Sequence, residues 1–296
     1  MSKIAILTDS TADMNRELRE KYNIDYFRMG FSSGDEEYVA SLDWEDISYK
    51  DFYDSMRNGK GYLTSQVTVK HFLEKFSEYL KEGYDVLYIG CSSALSGSVA
   101  AAKLLLKELK NEYKDNKVIC IDSLLSGMGQ GMMAIKAAEL RDEGKTVEEI
   151  AEFIEEMKMR CNQVGTVSTL EYLKKSGRVT ASSAFFGNLF AVKPILISDD
   201  KGQNLAVKKV KGRMSSLEET VNQIEKFIKD PLNQTVYISH ADAKEDADKV
   251  CEMLKERIPG IKTEQAIIGP IVGISVGPGT IIAYYQGVDK KEHMAQ

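Results

Sequence analysis

"YDVLYIGCSSALSGSVAAAKLLLKELKNEY", residues 84–113, carries the alternation on which the fold turns. Residues 84–90 are an apolar run of strand length, suited to a strand buried on both faces. The run stops at "CSSALSGS" (91–98), four serines and a glycine in eight residues. Residues 98–113 then place Val99, Ala102, Leu106 and Leu109 at helical spacing. Strand, polar loop, helix is the unit of a parallel sheet.

The unit recurs on both sides. "KIAILT" (3–8), "IDYFRM" (24–29) and "KVICI" (117–121) read as further strands. "DSTADMNRELREKY" (9–22) offers polar caps and then Met14, Leu18 and Tyr22 every fourth residue. Thr68 caps a helix burying Val69, Phe72, Phe76 and Leu80. Thr146 and Glu149 form a capping box before Val147, Ile150, Ile154 and Met157. Residues 30–63 are polar and weakly periodic, and read as a long loop with a short helix around Phe52 and Met56. The expectation for residues 1–160 is an α/β domain with a parallel sheet covered on both faces.

Beyond residue 160 strands outnumber helices. "QVGTVSTL", "KPILISD", "QNLAVKKV", "TVYISH", "KTEQAII" and "GTIIAYY" are candidate strands, and "SDDKGQ" (198–203) is a hairpin signal. Only "SLEETVNQIEKFIKD" and "KEDADKVCEMLKERI" interrupt them as long helices. Residues 161–290 are therefore expected to form an α+β domain with largely antiparallel pairing. No linker separates the halves, so they are expected to share a cleft.

Composition excludes several functions. The 296 residues carry a formal net charge of −6, which opposes bulk attraction to nucleic acid or anionic lipid. Cys91, Cys120, Cys161 and Cys251 are scattered without a C-x-x-C pair and there are only three histidines, so reduced core thiols and no metal are expected. The N-terminal apolar run is too short for a signal peptide, and no segment reaches the ~20 apolar residues of a membrane span. A cytoplasmic protein is expected.

Four loops collect hydroxyl groups: "TDSTAD" (8–13), "LTSQVT" (63–68), "CSSALSGS" and "DSLLSGMGQG" (122–131). Loops after the carboxyl ends of parallel strands line the ligand crevice. Hydroxyls and helix-start N–H groups bind anions without a cationic partner. Each loop alone reads more simply as helix caps; several on one rim favour a shared ligand. No G-x-G-x-x-G or G-x-x-x-x-G-K-[ST] follows a strand and no lysine sits in these loops, so a nucleotide is disfavoured and a single carboxylate or phosphate remains.

Ser96 is not in G-x-S-x-G, and His240, at the end of "TVYISH", is the one histidine placed to serve it as a base. A serine hydrolase or acyltransferase acting on an acyl substrate is thus the alternative reading. Asp9, Asp13 and Asp122 could gather a metal, although Asp9 and Asp122 read more simply as helix caps. "EYLKKSGRV" (171–179) reads as an exposed basic turn. "IIGPIVGISVGPGTI" (267–281) cannot be an ordinary central strand. It reads either as backbone held close to an apolar ligand or as a tight bend.

"DSTAD", Thr64-Ser65-Gln66, "SSALSGS", Asp122-Ser123, "LKKSGRV", "KPIL" and "GPIVGISVGPGT" occur in the order of the DegV family, which this chain resembles from about residue 3 to 285. The resemblance implies a Rossmann-like larger domain, a second domain, and one long-chain fatty acid (palmitate, stearate or oleate) in a tunnel between them. It implies a binding protein rather than an enzyme, with no cofactor. Such a protein presents the acyl carboxylate to a separate ATP-dependent fatty acid kinase, whose acyl phosphate enters phospholipid synthesis.

Carried over by motif, Thr64 and Ser96 bind the carboxylate, assisted by the Gly97 N–H and Ser93. Arg178 matches a family arginine at the rim, where the kinase would dock. This sequence has Val67 for the usual proline, Ser98 for the usual threonine, Ser176-Gly177-Arg178 for GGR, and Ser275 where many relatives carry a head-group histidine. Burying about 14 methylenes of such a ligand gains on the order of 11 kcal/mol before binding costs, so hydroxyl and N–H donors need only orient the head group. Apolar "AFFGNLFAV" (184–192) reads as tail lining or as core.

Overall fold

The computed structural model describes residues 3–181 and 192–295. The tail-lining candidates at 184–191 lie outside these.

Four parallel strands form the first sheet: β1 (Lys3–Asp9), β2 (Ile24–Phe27), β6 (Tyr84–Gly90) and β7 (Val118–Asp122), in the order β2-β1-β6-β7. Alternate residues of β6 face opposite layers. Tyr88 stacks with Phe72 and Phe76 of α3 (Val69–Lys81), while Thr8 and the Ile89 carbonyl bond Gln130 of α6 (Met128–Asp142). Both faces are thus covered, as the apolar runs required. The capping residues Thr68 and Thr146 are confirmed, the latter with both halves of its box formed at the start of α7 (Val147–Met157).

The second sheet has six strands: β8 (Cys161–Thr166), β9 (Val192–Ser198), β10 (Asn204–Lys211), β11 (Thr235–His240), β12 (Lys262–Ile267) and β13 (Ile281–Gln286), ordered β10-β9-β8-β13-β11-β12. All neighbours run antiparallel except β11 and β12. Its outer face buries α9 (Arg213–Phe227) and α10 (Lys244–Arg257) over Val164, Ile197, Ile238 and Ala283. Its inner face looks toward α6, of whose 15 residues 11 are buried. With its charged residues confined to its C-terminal half, α6 lies between the two sheets, sharing one core with both.

Three local expectations need correction. Residues 30–63 are not a loop: β3 (Gly30–Ser33), β4 (Glu36–Val39) and β5 (Leu63–Ser65) form a small antiparallel sheet, with α2 (Tyr49–Arg57) between β4 and β5. These strands are too short, and two of them too exposed, to print alternation on the sequence. The first helix, α1, spans only Arg16–Lys21 with Asn15 as its cap, and Met14 is buried ahead of it. The helix over 98–113 is two, α4 (Ser98–Leu104) and α5 (Leu106–Glu112), separated where the Leu105 N–H reaches back only three residues to Ala102.

Asp13 adopts a left-handed backbone (φ 53°) with Oδ1 accepting from the Gly269 N–H at 2.8 Å, while Oδ2 has no partner among the described residues. Burial holds its carboxyl well above the usual range; the Gly269 bond opposes this and Asp9 adds to it. The folded state thus favours the protonated acid. That contribution is complete below the ordinary carboxyl range and is lost as pH rises through the raised folded value. Asp13→Asn keeps the acceptor without the titration, so its urea midpoint should gain on that of the native protein between pH 5 and pH 8; a gap that ignores pH removes this assignment. Thr146→Ala should cost about 1 kcal/mol in the same denaturation experiment, through loss of the cap.

Candidate functional site

The loop 91–98 is pinned from every side. The Cys91 N–H donates to Asp9 Oδ2, that of Ser92 to the Leu125 carbonyl and that of Ser93 to Asp122 Oδ1, while the Ser92 hydroxyl donates to the Gly202 carbonyl. The Leu95 and Ser96 N–H groups both close onto the Ser92 carbonyl at 2.9 Å. Asp9 and Asp122 therefore cap turns rather than helices, since their oxygens accept from Thr11, Cys91, Ser93 and Leu124. Among the described residues no three histidine, cysteine or acidic groups gather to hold a metal. All four cysteines are buried free thiols.

This rigid loop forms one wall of a cavity of about 210 Å³ among the described residues. The other walls come from the ends of β1 and β7, from β5, and from β8, β10, β13 and the glycine run. Of the residues singled out by sequence, Thr64, Ser96, Gly97, Ser275 and Arg178 all line it. Ser93 does not; it is exposed, and its backbone N–H donates to Asp122 Oδ1. His240 is absent from the lining too, and its Nδ1 accepts from the Ala243 N–H at 3.4 Å. Burial pushes its imidazole down.

Ser96 and Ser98 form a hydroxyl pair. The Val67 N–H donates to Ser98 Oγ at 3.2 Å, and Ser98 Oγ lies 3.0 Å from Ser96 Oγ, which also accepts from the Ser98 N–H at 3.3 Å. In the arrangement in which Ser98 donates, Ser96 accepts twice and its own proton is free for the cavity. Val67 supplies an N–H that a proline would lack. The hydroxyls of Thr64 and Ser275 and the Gly97 N–H have no partners among the described residues, which leaves a cluster of free donors facing one space.

Two sequence features resolve differently from their readings. "EYLKKSGRV" is a helix, α8 (Glu171–Ser176), closed by Gly177 at φ 69° with the Arg178 N–H on the Leu173 carbonyl and the Gly177 N–H on that of Lys174. That turn aims the Arg178 side chain, whose Nε donates to the Leu95 carbonyl at 3.2 Å, at the serine loop. The glycine run is α11 (Pro270–Val276), not a bend: Gly273 leaves room for the Tyr53 ring, and Ile271, Val272, Ser275 and Val276 face the cavity.

Sequence reasoning missed Gln66, Cys91, Gln163 and Asn204 as cavity residues. Gln163 had a usable signal, a polar side chain in the interior of a strand that is buried throughout. Asn204 had none, because its place depends on how the two sheets meet; Gln66 and Cys91 stood in loops expected to line the crevice without being singled out.

Comparison with known proteins agrees with this architecture. The family model described as "Uncharacterised protein, DegV family" matches residues 3–286, from the first residue of β1 to the last of β13. A DegV domain-containing protein of Clostridium perfringens is 35% identical over 292 residues, covering 99% of this chain and 100% of its own. A solved DegV family protein of Thermus thermophilus, described by its fatty acid binding, superposes with a TM-score of 0.87 at 26% identity, covering 97% of this chain and 100% of that one. A DegV lipid-binding protein of Thermotoga maritima gives 0.83 at 27% identity, with 97% and 99% covered. Matched from first strand to last and aligned with a relative along its length, the chain belongs to the DegV family.

Proposed function

We propose that this protein binds one long-chain fatty acid between the two sheets and holds its carboxylate at Thr64, Ser96, the Gly97 N–H and Ser275. The observation that carries this is a cluster of hydroxyl and N–H donors, those of Thr64, Gly97 and Ser275 without partners among the described residues, lining a cavity whose walls include Met29, Leu95, Ile271, Val272, Val276 and Ile282. Donors without a fixed cation suit a carboxylate, and apolar walls suit a chain. The relatives described as fatty acid-binding, from Thermus thermophilus and Bacillus subtilis, support the same ligand class.

The proposed role is carriage rather than catalysis: the acid is presented to an ATP-dependent kinase partner for acyl-phosphate formation. Thr64 and Arg178 line both the cavity and an adjoining groove of about 670 Å³, so the clamp adjoins the surface where such a partner would reach it. The proposed division into two domains near residue 160 puts the ligand at their junction. The hydrolase reading gains nothing, because Ser96 lines the cavity and His240 does not. No helix among the described residues is long and apolar enough to cross a membrane.

Mass spectrometry of an organic extract of the denatured, purified protein should find a fatty acid near one per chain; protein refolded with excess palmitate that yields a clean extract would count decisively against the proposal. In calorimetric titration, Thr64→Ala with Ser96→Ala should weaken palmitate binding about tenfold or more, since two head-group bonds are lost. Unchanged affinity would take these residues out of the site.

A further inference from the structure

The cavity wall is more polar than an alkyl chain needs, beyond the hydroxyl groups of the proposed clamp. Thr11, Ser126 and Gln163 line it with only 2%, 9% and 4% of their surface exposed. Thr11 is fully engaged, with its hydroxyl against Asp9 Oδ1 and Gln130 Oε1. Ser126 is not: its hydroxyl has no partner among the described residues.

Gln163 is half engaged, and its orientation follows from its neighbour. Asn204 donates Nδ2 to the Arg178 carbonyl at 2.9 Å, so its Oδ1 must be the acceptor that meets Gln163. Gln163 therefore presents Nε2 to that oxygen, at 2.6 Å, and its own Oε1 is left without a partner among the described residues. The cavity thus offers one free hydroxyl and one free amide oxygen, both on residues more than nine-tenths buried.

A methylene placed against these groups would strip their water and return no hydrogen bond, which is costly. A hydroxyl carried by the chain itself would donate to Gln163 Oε1 and accept from Ser126. We propose that the cavity selects long-chain fatty acids bearing a hydroxyl group along the chain over the unsubstituted acid, with Ser126 and Gln163 as the residues that determine this specificity. The inference rests on the fatty acid-binding reading above.

The test is calorimetric titration of delipidated protein with octadecanoate and with its 3-, 10- and 12-hydroxy derivatives. At least one hydroxy acid should bind the native protein about five- to tenfold tighter than octadecanoate, the return of one or two buried hydrogen bonds. Ser126→Ala with Gln163→Leu should erase that preference while leaving octadecanoate bound as tightly or more so. Ser126→Ala alone, which removes a single oxygen, should narrow it. Hydroxy acids that all bind the native protein no tighter than octadecanoate would overturn the inference and leave the carrier reading standing, and a preference that survives the double variant would overturn it equally. Failure of every acid to bind would remove both.

Discussion

The Asp9 carboxylate has no exposed surface, and the ligand-facing end of the first sheet is arranged around it. One oxygen accepts from the Thr11 N–H and hydroxyl; the other accepts from the Tyr88 hydroxyl and the Cys91 N–H. A buried carboxylate without a cation is tolerable only when its lone pairs are filled by donors. Those donors come from the loop after β1, from β6 and from the loop after β6. Satisfying one side chain therefore fixes three segments at once, and the serine loop inherits its position from that constraint. Tyr88 ties the same carboxylate to the ring cluster of Phe27, Phe72 and Phe76 beneath, so packing and polarity enforce one geometry.

Electrostatically the site is built from dipoles. Arg178, the cation on the cavity wall, is turned onto the Leu95 and Ser176 carbonyls, while the proposed clamp offers hydroxyls and N–H groups. Dipolar donors hold a carboxylate with less grip than a buried ion pair, but they avoid the desolvation cost of a fixed charge when the cavity is empty. Ser275, with a hydroxyl rather than an imidazole, adds no titrating group to the proposed clamp.

Legibility in the sequence followed the strength of the physical signal. β1, β6 and β7 are buried on both faces and read as unbroken apolar runs, and Thr68 and Thr146 cap helices by local chemistry alone. β3, β4 and β5 read as loop because strands of three or four residues with exposed faces carry no period. The motif residues Thr64, Ser96, Gly97, Arg178 and Ser275 could be named from order along the chain, and they line one cavity. Asn204 and Gln163 could not be paired in advance, because they meet across β8, β9 and β10, and register between strands is a long-range property.

The position of α6 has a consequence for how the molecule comes apart. A helix buried on nearly every side, with the parallel sheet against one flank and the mixed sheet against the other, cannot leave either partner without exposing apolar surface to water. Each half taken alone would be missing a wall of its own core. Strand pairing divides the chain between β7 and β8, but α6 couples the two sheets, and one shared denaturation transition is expected rather than two.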